Sequence, residues 1–396
     1  MLWGGLATSA VGDQLFTVAL AWIAVGVLGA GAGYLTALQA ACVLATALLG
    51  GRWADRRQHQ LLMVAADLAR TAVLGVVVAA WLWRGAPPAW ALVLAVVSLA
   101  AGQAFFRPAL QALVPVIVPH RAQLPAANAL LDTTDRIARL LGPGIVGLLS
   151  GVLPLVHFVT LDAATFIASA LALAGIGRLR ALPASARPER ETALASALRG
   201  FVALRRLPLL HYMLATAGVV FGAWYGAMFL GIPLMLAGTG GGLGGYGLVI
   251  ASYGSTNLLA TLVVGSRDVP ARPAAMIFGG LALVGAGTAM IGIAGLTVAS
   301  AWLLPALCVA AAFGAVGGPM EDVAVAVLRQ TRVPQAEQAA VMRAFLVSSN
   351  LGMLVAFLAA PRVFDALGPA ATVALCGAAI LTVAGGGIAL HRRAVA

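Results

Sequence analysis

The chain is 396 residues long, with 62% hydrophobic residues, 9% charged residues and a mean hydropathy of +1.00. A soluble domain carries about 25% charged residues to solvate its surface, so a soluble fold of this length is excluded. The net charge is +11 and all 24 basic residues are arginine. In so apolar a chain their positions report membrane topology rather than nucleic-acid binding.

Apolar runs of roughly 20 residues match a ~30 Å hydrocarbon slab and read as twelve transmembrane helices. The first half holds about 2–28, 32–50, 61–83, 89–112, 126–150 and 154–177. The first run begins at Leu2 and reads as a span, not as a cleavable signal. A polar stretch at 178–207 follows, with Pro183, Pro188 and seven arginines, and reads as a cytoplasmic linker with one surface helix. The second half holds about 208–236, 245–266, 273–296, 299–323, 340–361 and 368–391.

Placing both termini in the cytoplasm puts eighteen arginines in inner loops, two outside (Arg84 and Arg362) and four within spans. Positive charge resists translocation, so this orientation is strongly favoured. Pro108 to Gly142 and Pro319 to Gly352 cover corresponding regions at nearly equal spacing. The expected fold is therefore an all-α integral membrane protein of two parallel six-helix halves, 1–177 and 208–396, with a substrate path between them.

Few charges remain at membrane depth, where they are costly and usually functional. Asp132, Asp135, Arg136 and Arg139 occupy one face of span five. Asp132 can pair with Arg136 and Asp135 with Arg139, as a static ladder or as a cavity lining that binds substrate or relays protons. Asp13 has no cation within helical reach in its own span, the setting that suits a proton carrier. Asp162 is a second solitary acid. Asp67 and Arg70, three residues apart, are expected to brace the loop between spans two and three. Glu321 lies toward the inner end of span ten, beside Asp322. Trp22, Tyr34, Phe105, Trp224, Tyr225 and Tyr253 are candidates to line an apolar cavity, against a packing or interface role.

That loop reads Gly50-Gly51-Arg52-Trp53-Ala54-Asp55-Arg56-Arg57. Its Gly51, Asp55 and Arg56 resemble the signature loop of the major facilitator superfamily, Gly-x-x-x-Asp-Arg-x-x-Arg, with His59 in place of the last arginine. The resemblance implies that Asp55 and Arg56 latch the cytoplasmic side, against the start of span eleven. Gly12-Asp13, Asp67-Leu68-Ala69-Arg70, Phe105-Phe106-Arg107-Pro108 and Ala126-Ala127-Asn128 are similar to the bacterial drug–proton antiporters that include enterobactin and macrolide exporters. Gly142-Pro143-Gly144-Ile145-Val146-Gly147 resembles the antiporter motif Gly-Pro-x-x-Gly-Gly. Physically, Pro143 removes a backbone hydrogen bond, and Gly142 and Gly147 permit close helix approach. The arginine typical of mid-span four in such antiporters is missing, since Arg107 lies nearer the cytoplasmic end.

Cys42, Cys308 and Cys376 fall inside apolar runs without disulfide or metal spacing. The glycines of 238–245 precede no Gly-Lys-Ser/Thr, which argues against ATP-driven transport. The histidines are scattered, which argues against a lipid-processing membrane enzyme. The resemblance implies a monomeric proton antiporter in the bacterial inner membrane. It would need no cofactor, metal or nucleic acid and would export an amphipathic organic compound. A facilitator or importer of a small organic solute with the same fold is the alternative.

Overall fold

The computed structural model describes residues 2–49, 59–118, 120, 123–176, 192–240, 242–267 and 272–392. Among these the chain is helical, with no strand. The first six long helices are α1 (Leu2–Leu28), α2 (Ala32–Leu49), α3 (His59–Arg84), α4 (Ala89–Ile117), α5 (Leu124–Leu149) and α6 (Val156–Ala174). A short α7 (Ala193–Leu204) precedes α8 (Pro208–Gly238), α9 (Leu243–Gly265), α10 (Pro273–Thr297), α11 (Ser300–Arg332), α12 (Gln335–Leu367) and α13 (Pro369–Leu390). Twelve long helices thus stand where twelve apolar runs were read, and α7 is the helix of the polar stretch.

All the long helices except α5 belong to stretches long and apolar enough to cross a membrane, α1 and α2 within one run, Leu2–Thr46. The exception carries Asp132, Asp135, Arg136 and Arg139. Large apolar side chains stay exposed on these helices, among them Leu148 (81%) and Trp302 (71%). A water-soluble surface does not tolerate so much exposed apolar area, whereas lipid does. The chain is a multi-pass membrane protein.

Contacts divide the chain into two compact units, Met1–Leu28 with Ala41–Ala193, and Gly29–Ala40 with Leu194–Ala396. In the first, α1 packs on α5 and α6, and α3 packs on α4 and α6. A core of Leu6, Met63, Ala109, Leu113 and Leu173 ties α1, α3, α4 and α6 together. On either side of Asp13 the neighbours press close. A Cβ on Gly142 would stand 2.5 Å from the Cβ of Gln14, and one on Gly12 would collide with Thr165. Glycine is what lets α5 and α6 reach α1 at this level.

In the second unit α10 packs on α11 and α13, α8 on α12 and α13, and α9 on α11. Met213, Ile277, Phe278, Leu281 and Ile380 form its main core. The short α7 contributes Leu204 to a second cluster with Leu210, Leu214 and Val341. Within α8 the residues Ala227–Gly231 form one turn of π-helix. Such a turn leaves a carbonyl without its usual partner. The carbonyl of Met228 here accepts a 3.2 Å hydrogen bond from the buried Tyr246 hydroxyl.

Candidate charge cluster and aromatic group

Four helices of the first unit bring charges to one place. From α3, Asp67 and Arg70 form an ion pair with almost no exposure. The i, i+3 spacing sets both on one face, and burial keeps them together. The Arg70 guanidinium lies 4.1 Å from the ring centroid of Phe166 on α6 and 5.2 Å from that of Phe106 on α4. Stacking on two rings spreads its charge over apolar surface, which an ammonium could not do as well. The arginine side chain occupies the space where Gly102 has none; a Cβ there would overlap it.

Around this arginine stand two further acids. Asp13 on α1 lies within electrostatic reach of Arg70, Asp67 and Arg107. Asp162 on α6 is fully buried and lies within reach of Asp13, Arg70 and Asp67. The side-chain amide of Gln103 on α4 approaches Asp13 Oδ2 at 3.5 Å, a long contact. Asp13 Oδ1 and both Asp162 oxygens are buried without a hydrogen-bond partner among the described residues, and the buried Ser169 hydroxyl lies beside Asp67. A threonine follows each acid, but its hydroxyl is committed elsewhere. Thr17, Thr71 and Thr165 donate to the backbone carbonyls of Asp13, Asp67 and Asp162 at 2.6, 2.9 and 2.8 Å. Among the described residues, three carboxyls therefore share one buried cation, with Gln103 and Ser169 as the other polar side chains near them.

This arrangement corrects two expectations. Asp13 and Asp162 are not solitary, because their neighbours come from other helices. Asp67 and Arg70 lie beside those acids, and the loop they were expected to brace lies outside the described residues. Asp135 pairs with Arg107 of α4 at 3.1 Å rather than with Arg139, which is exposed on its own helix. The Asp135–Arg107 pair is itself partly exposed, at 36% and 66%. The side chains of Asp132 and Arg136 lie outside the described residues, as do Gly51, Asp55 and Arg56. Pro143 is buried inside α5, and Gly142 meets α1 beside Asp13.

The second unit collects aromatic rings. Trp224 lies 4.9 Å from Tyr225, 5.4 Å from Tyr253 and 6.0 Å from Phe229, centroid to centroid. Tyr225 stacks on Phe229 at 5.3 Å and on Phe221 at 6.4 Å. Sequence reasoning missed Phe221 and Phe229. The signal is the stripe Phe221, Trp224, Tyr225, Phe229, whose offsets of three, four and eight place the rings on one side of a helix. Tyr253 lies within electrostatic reach of Glu321 and Asp322. Trp22 and Phe105 belong to the first unit, and Tyr34 is 47% exposed. The three cysteines are free and half-buried.

Twelve long helices with charges buried inside one unit and aromatic rings gathered in another are the build of a solute transporter. The model of the Major Facilitator Superfamily matches residues 2–357, and the chain belongs to that family. It is a transporter rather than an enzyme. It is 30% identical over 269 residues to the uncharacterized MFS-type transporter y4rN of Sinorhizobium fredii, covering 66% of this chain and 61% of that one. It is 26% identical over 385 residues to the uncharacterized MFS-type transporter YfiS of Bacillus subtilis, covering 95% of this chain and 88% of that one. Among solved structures it resembles a POT family transporter in complex with 5-aminolevulinic acid, with a TM-score of 0.71, 12% identity and coverage of 100% and 96%. A bacterial homologue of the iron transporter ferroportin in the inward-facing state gives a TM-score of 0.71, 13% identity and 97% coverage of both chains. At such identities these two structures speak for the fold alone.

Proposed function

We propose that the protein is a proton-coupled exporter of an amphipathic organic compound, working by alternating access as a monomer in the bacterial inner membrane with both termini cytoplasmic. The observation that carries the proton coupling is the cluster of Asp13, Asp67 and Asp162 around Arg70. Three carboxylates and one guanidinium leave surplus negative charge in a place poor in hydrogen-bond donors. Taking up a proton there relieves repulsion and desolvation together. Asp13 and Asp162 are the carriers in this reading, since Asp67 is held by Arg70. Gly142 presses on the residue next to Asp13, so a movement of α5 against α1 would change the surroundings of that acid. Export rather than import rests on the resemblance of the Gly142–Gly147 segment to the antiporter motif. The loop residues Gly51, Asp55 and Arg56 are assigned the cytoplasmic latch on the same basis, with Asp132, Arg136 and Arg139 as charges bordering the solute path.

The test is solute flux in proteoliposomes under an imposed pH gradient. Wild-type protein is expected to drive uphill flux that collapses with the gradient, and Asp13→Asn and Asp162→Asn to reduce it by about tenfold or more. Flux indifferent to the gradient would sink the proton coupling. Undiminished uphill flux in both variants would remove the two acids from the mechanism.

A further inference from the structure

We propose that the aromatic group of the second unit, together with Glu321, binds the transported solute as an organic cation bearing a flat apolar group. The inference deepens the export reading by naming a substrate class. The rings come from two helices, Phe221, Trp224, Tyr225 and Phe229 from α8 and Tyr253 from α9. Phe221 is 42% exposed and the other four are half-buried, so their faces are not consumed by packing. The π-turn Ala227–Gly231 shifts the helical register within this stripe, which places Phe229 beside both Tyr225 and Trp224.

The acid is supplied by α11. The Tyr253 hydroxyl lies 3.7 Å from where a Cβ would stand on Gly318, one turn before Glu321. Asp322 is within electrostatic reach of Arg329, one helical turn pair further on. Glu321 has no such partner. Its one charged neighbour is Asp322, another anion, and it makes no hydrogen bond or ion pair among the described residues. The Trp224 Nε1 is buried beside the Tyr253 hydroxyl.

These features select one chemistry. The faces of Trp and Tyr carry negative electrostatic potential and attract a cation within about 6 Å. A cation entering beside these rings would also draw the buried Glu321 carboxyl into its charged form and pair with it. An anionic solute would be repelled by Glu321 and Asp322. A small metal ion would have to give up its hydration shell for rings that offer it no oxygen. A large, weakly hydrated organic cation loses little solvation and gains both the ring faces and the carboxylate.

Binding of radiolabelled tetraphenylphosphonium to purified protein in detergent tests this, by scintillation proximity and without any ion gradient. Saturable binding to the wild type is expected, weakened about tenfold or more in Glu321→Gln and in Trp224→Ala and largely retained in Glu321→Asp. Neutral triphenylphosphine oxide, close in shape, should not compete. Gel filtration and thermal melting of each variant separate lost binding from lost folding, with Tyr253→Phe and Trp224→Phe as milder probes of the same wall. Absence of saturable wild-type binding overturns the proposal, as does equal competition by the neutral analogue. So does binding unaffected by substitution of both Glu321 and Trp224. Because no gradient is present, a failure of proton-driven flux leaves this result standing, and a failure here leaves the flux result standing.

Discussion

At the scale of single residues, Arg70 carries the largest share of the first unit's electrostatics. It is buried in an ion pair with Asp67, and Asp13 and Asp162 lie within reach of it. Removing one partner of a buried pair leaves an uncompensated charge and costs about 3–5 kcal/mol. Arg70→Ala should therefore lower the melting temperature in detergent far more than an exposed change such as Arg107→Ala. Arg70→Lys should recover only part of the loss, because an ammonium cannot stack on Phe106 and Phe166 as a guanidinium does. An Arg70→Ala protein that melts with the wild type would show that the acids do not depend on this cation. The pair itself was legible in the sequence, since three residues along a helix fix a shared face. The wider cluster was not. Asp13, Asp67 and Asp162 sit on three helices, and only the packing of α1, α3 and α6 decides that they meet. For Asp135, spacing pointed to Arg139 with as much warrant as to any other cation, and tertiary contact chose Arg107.

Element by element, hydropathy located the spans well and their ends less well. Apolar runs measure the hydrocarbon slab, whereas a helix continues into the headgroups for as long as its backbone bonds are satisfied. The run at 340–361 is thus the middle of Gln335–Leu367, and the run at 299–323 the first two-thirds of Ser300–Arg332. The π-turn in α8 left no hydropathy signal, because inserting one residue changes register and not composition. Its stability can be tested through Tyr246, which is fully buried and donates to the Met228 carbonyl. Tyr246→Phe leaves that carbonyl unpaired in an apolar setting, at a cost of about 1–3 kcal/mol. A lowered melting temperature is expected, together with weakened tetraphenylphosphonium binding, since Trp224, Tyr225 and Phe229 flank the turn. A variant that melts and binds as the wild type does would mean the turn holds without this hydrogen bond.

For the whole molecule, scarcity of charge is the governing fact. With 9% charged residues, the chain has few ways to fix its direction across a bilayer other than arginine placement. Eighteen of 24 arginines fall in loops on one side when both termini are cytoplasmic, and two fall on the other. Translocating a positively charged loop works against insertion, and the opposite orientation would require it at nearly every inner loop. The prediction can be read by labelling single cysteines with a membrane-impermeant maleimide in intact cells, after replacement of Cys42, Cys308 and Cys376. Cysteines at Gly85 and Val298 should react from outside. Those at Ala184 and Ala394 should react only once the membrane is permeabilised. The reverse pattern would invert the protein and with it the direction of export. It would also place the loop of Asp55 and Arg56 where no cytoplasmic latch could form. A mixed pattern, with the two halves opposed, would break the parallel repeat that Pro108–Gly142 and Pro319–Gly352 imply. Orientation therefore decides more of the transport reading than any single side chain does, because the sense of every gradient across the charge cluster follows from it.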